Sequence, residues 1–383
     1  MAGVSRQAYS AVETGKSVPS AELALRLARS LQQPVEELFS LAGDGHPDPE
    51  EVHLARSLLP GGYAQWERGG AAPEARSEDR SAARPVPMHL RRGVRLRRGR
   101  IAGREVAYPL VAGGREWGLA DGMLGEGERF GLESLAHLPS HLPPVELVLA
   151  GCDPSFALLE EALRREAGVE ALWVPMGSRQ ALEALEAGEV HVAGVHRPES
   201  AWPPECRLPP TSGPGIAPSP GTPEGLRCTR VGYALWEEAL LFRPSHGGRI
   251  GGIEDLVQPE LRFLNREEGA GARAVIDALL GEAGIDPNDL SGYRTTEARG
   301  HRAVIEGIAS GAADVGVAIG ALGEAYGLNA LALTLDRCEL VIPDLLLELP
   351  AVRALLDLLR RRSFRSQLEA LGGYDLTILG DPT

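Results

Sequence analysis

Leu261-Arg-Phe-Leu-Asn-Arg-Glu-Glu-Gly-Ala-Gly-Ala-Arg273 is the stretch whose reading decides the fold. Leu261, Phe263 and the run to Asn265 read as a short buried strand. Ala274-Val275-Ile276 and Leu279-Leu280 then recur at helical spacing. Gly269 and Gly271 stand between the two, where they let the backbone turn sharply and approach a ligand closely. A glycine turn that opens a helix presents free N–H groups and the positive end of the helix dipole, which suits an anion. The same residues equally suit an ordinary strand-to-helix turn. No Lys-[Ser/Thr] follows the glycines, so a nucleotide P-loop is excluded.

The alternation of strand, turn and helix extends outward over 146–383. Strands are expected at 147–150, 172–175 and 190–195, with helices at 155–166 (capped by Asp153 or Ser155) and 178–187. This pattern implies α/β architecture with a largely parallel sheet, whose ligand sites lie at the carboxyl ends of strands. Three such ends carry polar or glycine-rich turns: Gly151-Cys152-Asp153-Pro154, Gly177-Ser178-Arg179 and Gly194-Val195-His196-Arg197. Residues 198–223 hold nine prolines without periodicity and read as an extended loop. A strand resumes at 235–242. Past the glycine turn, 303–310 reads as helix and 315–319 as strand, with Asp314 fixing the turn between them. Residues 339–343 read as the chain crossing back, and 351–371 as closing helices. Arg337 reaches either the cleft or solvent.

The totals are those of an ordinary soluble protein. With 383 residues there is room for two or three domains. A net charge of −14 argues against a protein that coats nucleic acid, although one small module can still bind it. Lys16 is the only lysine, which points to coding bias and lowers the weight of arginine clusters. The four cysteines show neither CxxC spacing nor a dense framework, so they read as reduced thiols. No membrane span or signal-peptide layout is visible, and a cytoplasmic location is expected.

At the N-terminus Ser5 caps a helix over 6–13 that Gly15 stops. Ser20 caps the next, with Leu23, Leu27 and Leu31 as its apolar stripe, and Pro34 opens a third over 35–41. The words Gly-Val-Ser-Arg-Gln-Ala-Tyr-Ser-Ala-Val-Glu-Thr-Gly-Lys and Pro-Ser-Ala-Glu-Leu-Ala-Leu-Arg-Leu-Ala-Arg-Ser-Leu resemble the phage-repressor (XRE-like) helix-turn-helix family. That resemblance implies that Arg6, Gln7 and Ser10 face base edges of operator DNA and that Ser5 and Lys16 meet phosphates. Tyr9 and Val12 would point inward, and a homodimer would read two half-sites. The family's first helix and most of its second, about twenty residues, have no counterpart before Gly3. A start codon placed too late is the favoured expectation, and a true truncation the other.

Residues 42–90 read as a linker, with a break at 43–49, a short helix at 51–59 and an unpatterned, mobile stretch at 69–84. Residues 91–145 read as a small β segment. Its arginine-rich start, Arg91 to Arg100, reads either as a phosphate-binding strip or, with 105–111, as a hairpin whose arginines lie on the wet face. The alternation from Val94 favours the hairpin. Residues 117–124 add a further strand.

Taken in order, Ala150-Gly151-Cys152-Asp153-Pro154, Ala193-Gly194-Val195-His196, Asn265 to Arg273, His301 to Gly316 and Leu371-Gly372-Gly373-Tyr374 resemble a second family. It is the periplasmic-binding-protein-like domain, often called molybdate-binding, found fused to helix-turn-helix modules. The resemblance implies a two-lobed type II architecture over 146–383, with lobe I about 146–240 plus 344–383 and lobe II about 241–343. It also implies an oxyanion such as molybdate or tungstate in the cleft. The expected ligand-binding set is Cys152, Asp153, Ser178, His196, Asn265, Arg266, Gly269, Gly271, Arg273 and His301. Ala270 and Ala272 stand where the family usually has hydroxyl residues, which weakens oxyanion binding by side chains there but leaves the backbone donors.

His301 reads either as an anion donor, with pH-dependent binding, or as a helix N-terminal histidine satisfied by backbone. No partner at metal-ligand spacing accompanies it, which argues against zinc. Glu267 and Glu268 read as solvated. No nucleophile elbow, HExxH, Walker lysine or Cys/His pairing at catalytic spacing is present, so a non-enzyme without cofactor is expected. A ligand-responsive transcriptional regulator is the leading function. The alternative is a cytosolic anion-binding protein without DNA activity, linked to molybdenum-cofactor metabolism.

Overall fold

Residues 226–242 and 329–343 form the two longest strands among the described residues, and the elements of both lobes are arranged around them. The computed structural model describes residues 12, 19–31, 53–55, 94–101, 103–110, 118–124, 135–137, 142–198, 206–208 and 226–383. The chain divides into two units, Met1–Asp48 and Pro49–Thr383.

In the first unit, α1 spans Ala21–Leu31. Ser20 Oγ accepts the Leu23 N–H at 3.3 Å, so the helix carries the expected cap. Ala24, Leu27 and Ala28 bury one face, while Glu22 and Arg26 pair across one exposed turn. Val12 is helical and half-buried. Ser5, Arg6, Gln7, Ser10 and Lys16, expected to face DNA, lie outside the described residues, as do Tyr9, the third helix and most of the proline-rich loop.

The second unit opens with a five-stranded sheet: β1 (His53–Leu54), β2 (Val94–Ile101), β3 (Arg104–Pro109), β4 (Gly122–Leu124) and β5 (Leu135–His137), in the order β1-β3-β2-β4-β5. The short helix expected at 51–59 is contradicted where it is described. His53–Leu54 pairs parallel with β3, because its backbone completes that strand's free edge. β2 and β3 form the expected hairpin, turning at Gly103 with φ +82°. Not every arginine is on its wet face, however. Arg97 is buried, with Nη1 donating to Asp121 at 3.2 Å and Nη2 to Glu170 at 2.8 Å and to the Pro143 carbonyl at 3.0 Å. Two carboxylates and a carbonyl replace its hydration shell and fasten this sheet to the next.

A nine-stranded sheet follows. Its first lobe holds β6 (Leu147–Gly151), α2 (Phe156–Ala162), β7 (Ala171–Pro175), α3 (Ser178–Glu186) and β8 (Val192–Pro198). β6 pairs parallel with both β7 and β8, as the strand–helix alternation requires. After β9 (Arg207–Leu208), β10 (Leu226–Phe242) crosses to the second lobe. That lobe holds β11 (Phe263–Arg266), α4 (Gly271–Ala283), β12 (Glu297–Ala298), α5 (Gly300–Ala309), β13 (Val315–Ile319) and α6 (Gly320–Ala325). β14 (Asn329–Pro343) returns antiparallel to β10, and α7 (Pro350–Leu359) and α8 (Arg362–Glu369) pack on the first lobe. The sheet order is β12-β11-β13-β10-β14-β8-β6-β7, with β9 paired to β10.

The apolar core is split. On β10, Val231 to Trp236 belong to the first-lobe core, whereas Ala239 to Phe242 belong to the two clusters of the second. On β14, Leu331 and Leu333 pack in the second lobe and Cys338 to Ile342 in the first. The return crossing therefore falls several residues before the 343/344 boundary read from sequence. The chain changes lobes around Glu238 and Asp336.

Candidate functional site

Four turns converge where the lobes meet. They are the ends of β6 (Cys152, Asp153), β7 (Gly177, Ser178) and β8 (His196), and the glycine turn between β11 and α4. The approach is close. A Cβ on Gly177 would lie 3.5 Å from Ala270 Cα, one on Gly269 2.4 Å from Arg179 Nε, and one on Gly271 2.6 Å from His196 Cε1. Glycine is needed at 269 for its φ of +83° and at 271 for the room that His196 occupies.

The ten ligand residues expected from sequence fall into two groups. Ser178, His196, Gly269, Gly271 and Arg273 line a pocket of about 350 Å³ between α3 and α4, together with Arg179 and Arg197. The N-caps of these helices are Gly177 and Ala270, and neither supplies a side-chain oxygen to the first-turn N–H groups. Two uncapped helix N-termini and the side chains of three arginines thus border one space, with Glu268 and Asp277 on its wall. Ser178 Oγ accepts the His196 N–H at 3.2 Å and so fixes the pocket floor. Arg273 is held by the Arg266 carbonyl at 3.2 Å and lies over the Tyr293 ring.

Cys152, Asp153, Asn265, Arg266 and His301 lie behind that pocket, all buried. Asn265 is held at both ends: its amide donates to the Tyr293 carbonyl at 3.2 Å and its oxygen accepts the Arg266 N–H at 2.9 Å. Arg266 is clamped by Glu267, Nε to Oε2 at 2.8 Å and Nη2 to Oε1 at 3.0 Å. Glu267 also accepts the Gly300 N–H, so the expectation that it is solvated is overturned. Burial works against its charge, but Arg266 holds its carboxyl below the usual range. Asp153 accepts the Ser155 N–H at 2.9 Å and the Tyr374 hydroxyl at 2.7 Å, while burial raises its pKa. Its role is to tie the turn before α2 to the C-terminal segment.

His301, the second residue of α5, is fully buried, and its Nδ1 has no hydrogen-bond partner. The reading in which backbone satisfies it therefore fails. Its Nε2 is 3.6 Å from Cys152 Sγ and 3.8 Å from Glu238 Oε1. Burial, reinforced by Arg266 and His196, pushes its pKa well below the ordinary value. His196 Nδ1 lies 2.7 Å from Asp336 Oδ2 and 3.6 Å from Glu238 Oε1. Burial opposes its protonation, but Cys152, Asp336 and Glu238 outweigh that and raise its pKa well above the ordinary value. Burial and the neighbouring Asp336 raise Glu238 to about 7.

Glu238 and Asp336 were missed from sequence. The available signal was alternation. Along β10, Trp236, Glu238 and Leu240 share one face, so a carboxylate stands at a buried period-two position. Asp336 gave no such signal: it is out of phase with Leu331, Leu333 and Leu335, and comes opposite Trp236 only through a register shift in the β10–β14 pairing. Ala272 was over-read: it packs in the second-lobe core against Phe263 and Ile276, so a hydroxyl there would not face the pocket. Asp314 fixes its turn as expected, receiving Arg262 Nε at 2.8 Å and the Arg262 N–H at 3.0 Å. Arg337 turns to Glu339 at 2.6 Å.

The sequence has relatives. It is 33% identical over 107 residues to the uncharacterized protein in the ferredoxin 2Fe-2S gene 5' region of Clostridium pasteurianum, covering 28% of this chain and 94% of that protein. It is 26% identical over 150 residues to the uncharacterized protein YvgK of Bacillus subtilis, covering 39% of this chain and 48% of YvgK. The chain thus spans about half the length of YvgK. Among solved structures it is similar to PhnD1 from Prochlorococcus marinus in complex with methylphosphonate. That pair has 14% identity and a TM-score of 0.40, over 60% of this chain and 90% of that one. It is also similar to the CcmR regulatory domain of Synechocystis in complex with 2-PG, at 15% identity and a TM-score of 0.36, over 59% and 94%. Residues 1–38 match the helix-turn-helix family model, which places an XRE-type module at the N-terminus. Residues 159–360, just over half of the 383-residue chain, match the PBP superfamily domain, and with its two lobes and paired crossing strands the chain belongs to that superfamily.

Proposed function

We propose that the protein is a cytoplasmic, ligand-responsive transcriptional regulator whose effector is a small oxyanion, molybdate or tungstate, bound between the lobes. The observation that carries the anion is the pair of uncapped helix N-termini, α3 and α4, facing one pocket with Arg179, Arg197 and Arg273. Backbone donors and guanidinium groups recognise an oxyanion without the hydroxyls that Ala270 and Ala272 lack. The effector stabilises the closed arrangement by contacting both lobes, and that differential affinity shifts the regulator between states of different operator affinity. The chemistry is binding rather than catalysis, and the DNA-binding form is a homodimer. No helix among the described residues is long and apolar enough to cross a membrane.

A thermal-shift titration of the full chain with molybdate, tungstate, sulfate and phosphate tests this reading. A ligand that binds only the folded state raises the melting temperature as its concentration passes the dissociation constant. The expected result is a shift with molybdate or tungstate that Arg179→Ala combined with Arg273→Ala removes. No shift with any of the four anions would refute the oxyanion. A shift that the double variant leaves intact would place the anion elsewhere.

A further inference from the structure

Behind the anion pocket five side chains with metal-binding atoms meet: Cys152, His196, Glu238, His301 and Asp336, none more than 4% exposed. The donor atoms of Cys152, His196 and His301 lie within 4.8 Å of one another, as do those of His196, Glu238 and Asp336. Most are not satisfied by the protein. His196 Nε2, both Glu238 carboxylate oxygens and Asp336 Oδ1 have no hydrogen-bond partner, and the Trp236 indole does not close one to Glu238. Buried polar atoms left unpaired are costly, so their concentration at one point marks a place built for a missing partner.

We infer that this cluster is a site for a thiophilic divalent transition-metal ion of the zinc class. Its ligands are Cys152 Sγ, His196 Nε2, His301 Nε2 and Glu238. With bonds of about 2.0–2.3 Å, tetrahedral ligands stand roughly 3.3–3.6 Å apart. Cys152 Sγ and His301 Nε2 are 3.6 Å apart, and His301 Nε2 and Glu238 Oε1 are 3.8 Å apart, so small side-chain movements close the shell. Asp336 is the orienting partner. At 2.7 Å it takes up His196 Nδ1, which leaves Nε2 for the metal in the carboxylate–histidine–metal arrangement that recurs in such sites. A thiol and two imidazoles select against magnesium and calcium, which take oxygen ligands. Arg266, whose charge also bears on His301, is paired by two hydrogen bonds to Glu267, which offsets part of its repulsion of an ion.

The ligands come from both lobes. Cys152 and His196 follow first-lobe strands, His301 opens a second-lobe helix, and Glu238 and Asp336 sit where β10 and β14 change lobes. A bound ion therefore fastens the closed cleft whichever effector the outer pocket takes.

Cobalt(II) is the probe. Full-length protein, stripped with chelator, is titrated with cobalt and then back-titrated with zinc. Thiolate-to-cobalt charge-transfer absorption at one ion per chain is expected, and zinc should abolish it. Cys152→Ser should remove the charge-transfer band. Asp336→Asn should keep the band and weaken the metal about 10–100-fold. Cys206→Ser with Cys228→Ser should change neither, which separates this thiol from the other half-buried pair. Absence of the band in the wild-type chain, or its persistence in Cys152→Ser, would overturn the site. Should Cys152→Ser fail to fold, unchanged cobalt affinity in both His301→Gln and Asp336→Asn overturns it equally. Oxyanion shifts are read separately, so either proposal can fall without the other.

Discussion

His191 makes a quantitative prediction about acid stability. Its ring lies just before β8, 1% exposed, and its Nδ1 accepts the Val148 N–H at 3.0 Å. The imidazole also hydrogen-bonds the Arg100 backbone in the small sheet, so it joins two sheets as a neutral ring. Protonation would place a donor at Nδ1 against another donor. Burial accordingly depresses the pKa from 6.5 to about 4, only partly offset by the Arg100 contact. In the unfolded chain the ring takes its proton near pH 6.5, whereas the folded protein resists until about pH 4. Between those values the unfolded state binds more protons, so stability falls as pH falls. At about 1.4 kcal/mol per pH unit the loss is about 3 kcal/mol, complete below pH 4 and absent above pH 7. His191→Asn keeps an acceptor for Val148 but cannot titrate. It should be less stable than wild type at pH 7.5, and the difference should shrink or reverse by pH 4.5. Urea unfolding of both proteins from pH 7.5 to 4.5 checks this, because the difference cancels other groups titrating in the window. Parallel curves would refute the buried neutral histidine.

Two further substitutions probe the same physics elsewhere. Gly271→Ala places a Cβ 2.6 Å from His196 Cε1, an overpacking of about 1–3 kcal/mol felt only when the lobes are together. Small-angle scattering should show a more open molecule, and an unchanged profile would count against the contact. Asp314→Asn leaves Arg243 and Arg262 without their shared carboxylate. The expected cost is about 1–3 kcal/mol, discounted because Arg262 is half exposed. Arg262 holds the Asp314 pKa far below its ordinary value, so this stabilisation is present above about pH 4 and lost as pH falls further. Acid titration of the variant's melting temperature should therefore lack wild type's decline in that range.

Local features were legible in the sequence and distant meetings were not. The glycine turn at 269–271, the strand at 315–319 and the helix at 178–186 announce themselves within a dozen residues, because periodicity and turn chemistry are local. Strand β10 was read only from 235 onward, since Arg227, Thr229 and Arg230 interrupt its first half, and β14 only from 339. The turns that border the pocket between α3 and α4 were read from sequence, but Arg179 and Arg197 carried little weight in an arginine-rich chain. The metal-type cluster was invisible for a simpler reason. Cys152 and His301 are 149 residues apart and His196 and Asp336 are 140, so no spacing rule reaches them. Only the topology that returns β14 beside both β10 and β8 brings these side chains together.

Arg97 and His191 also decide which part of the domain is the fixed frame. Both fasten the five-stranded sheet to the first lobe, Arg97 through Glu170 and His191 through the Arg100 backbone. Any opening of the cleft would have to carry that sheet along with the first lobe, because these ties join the two.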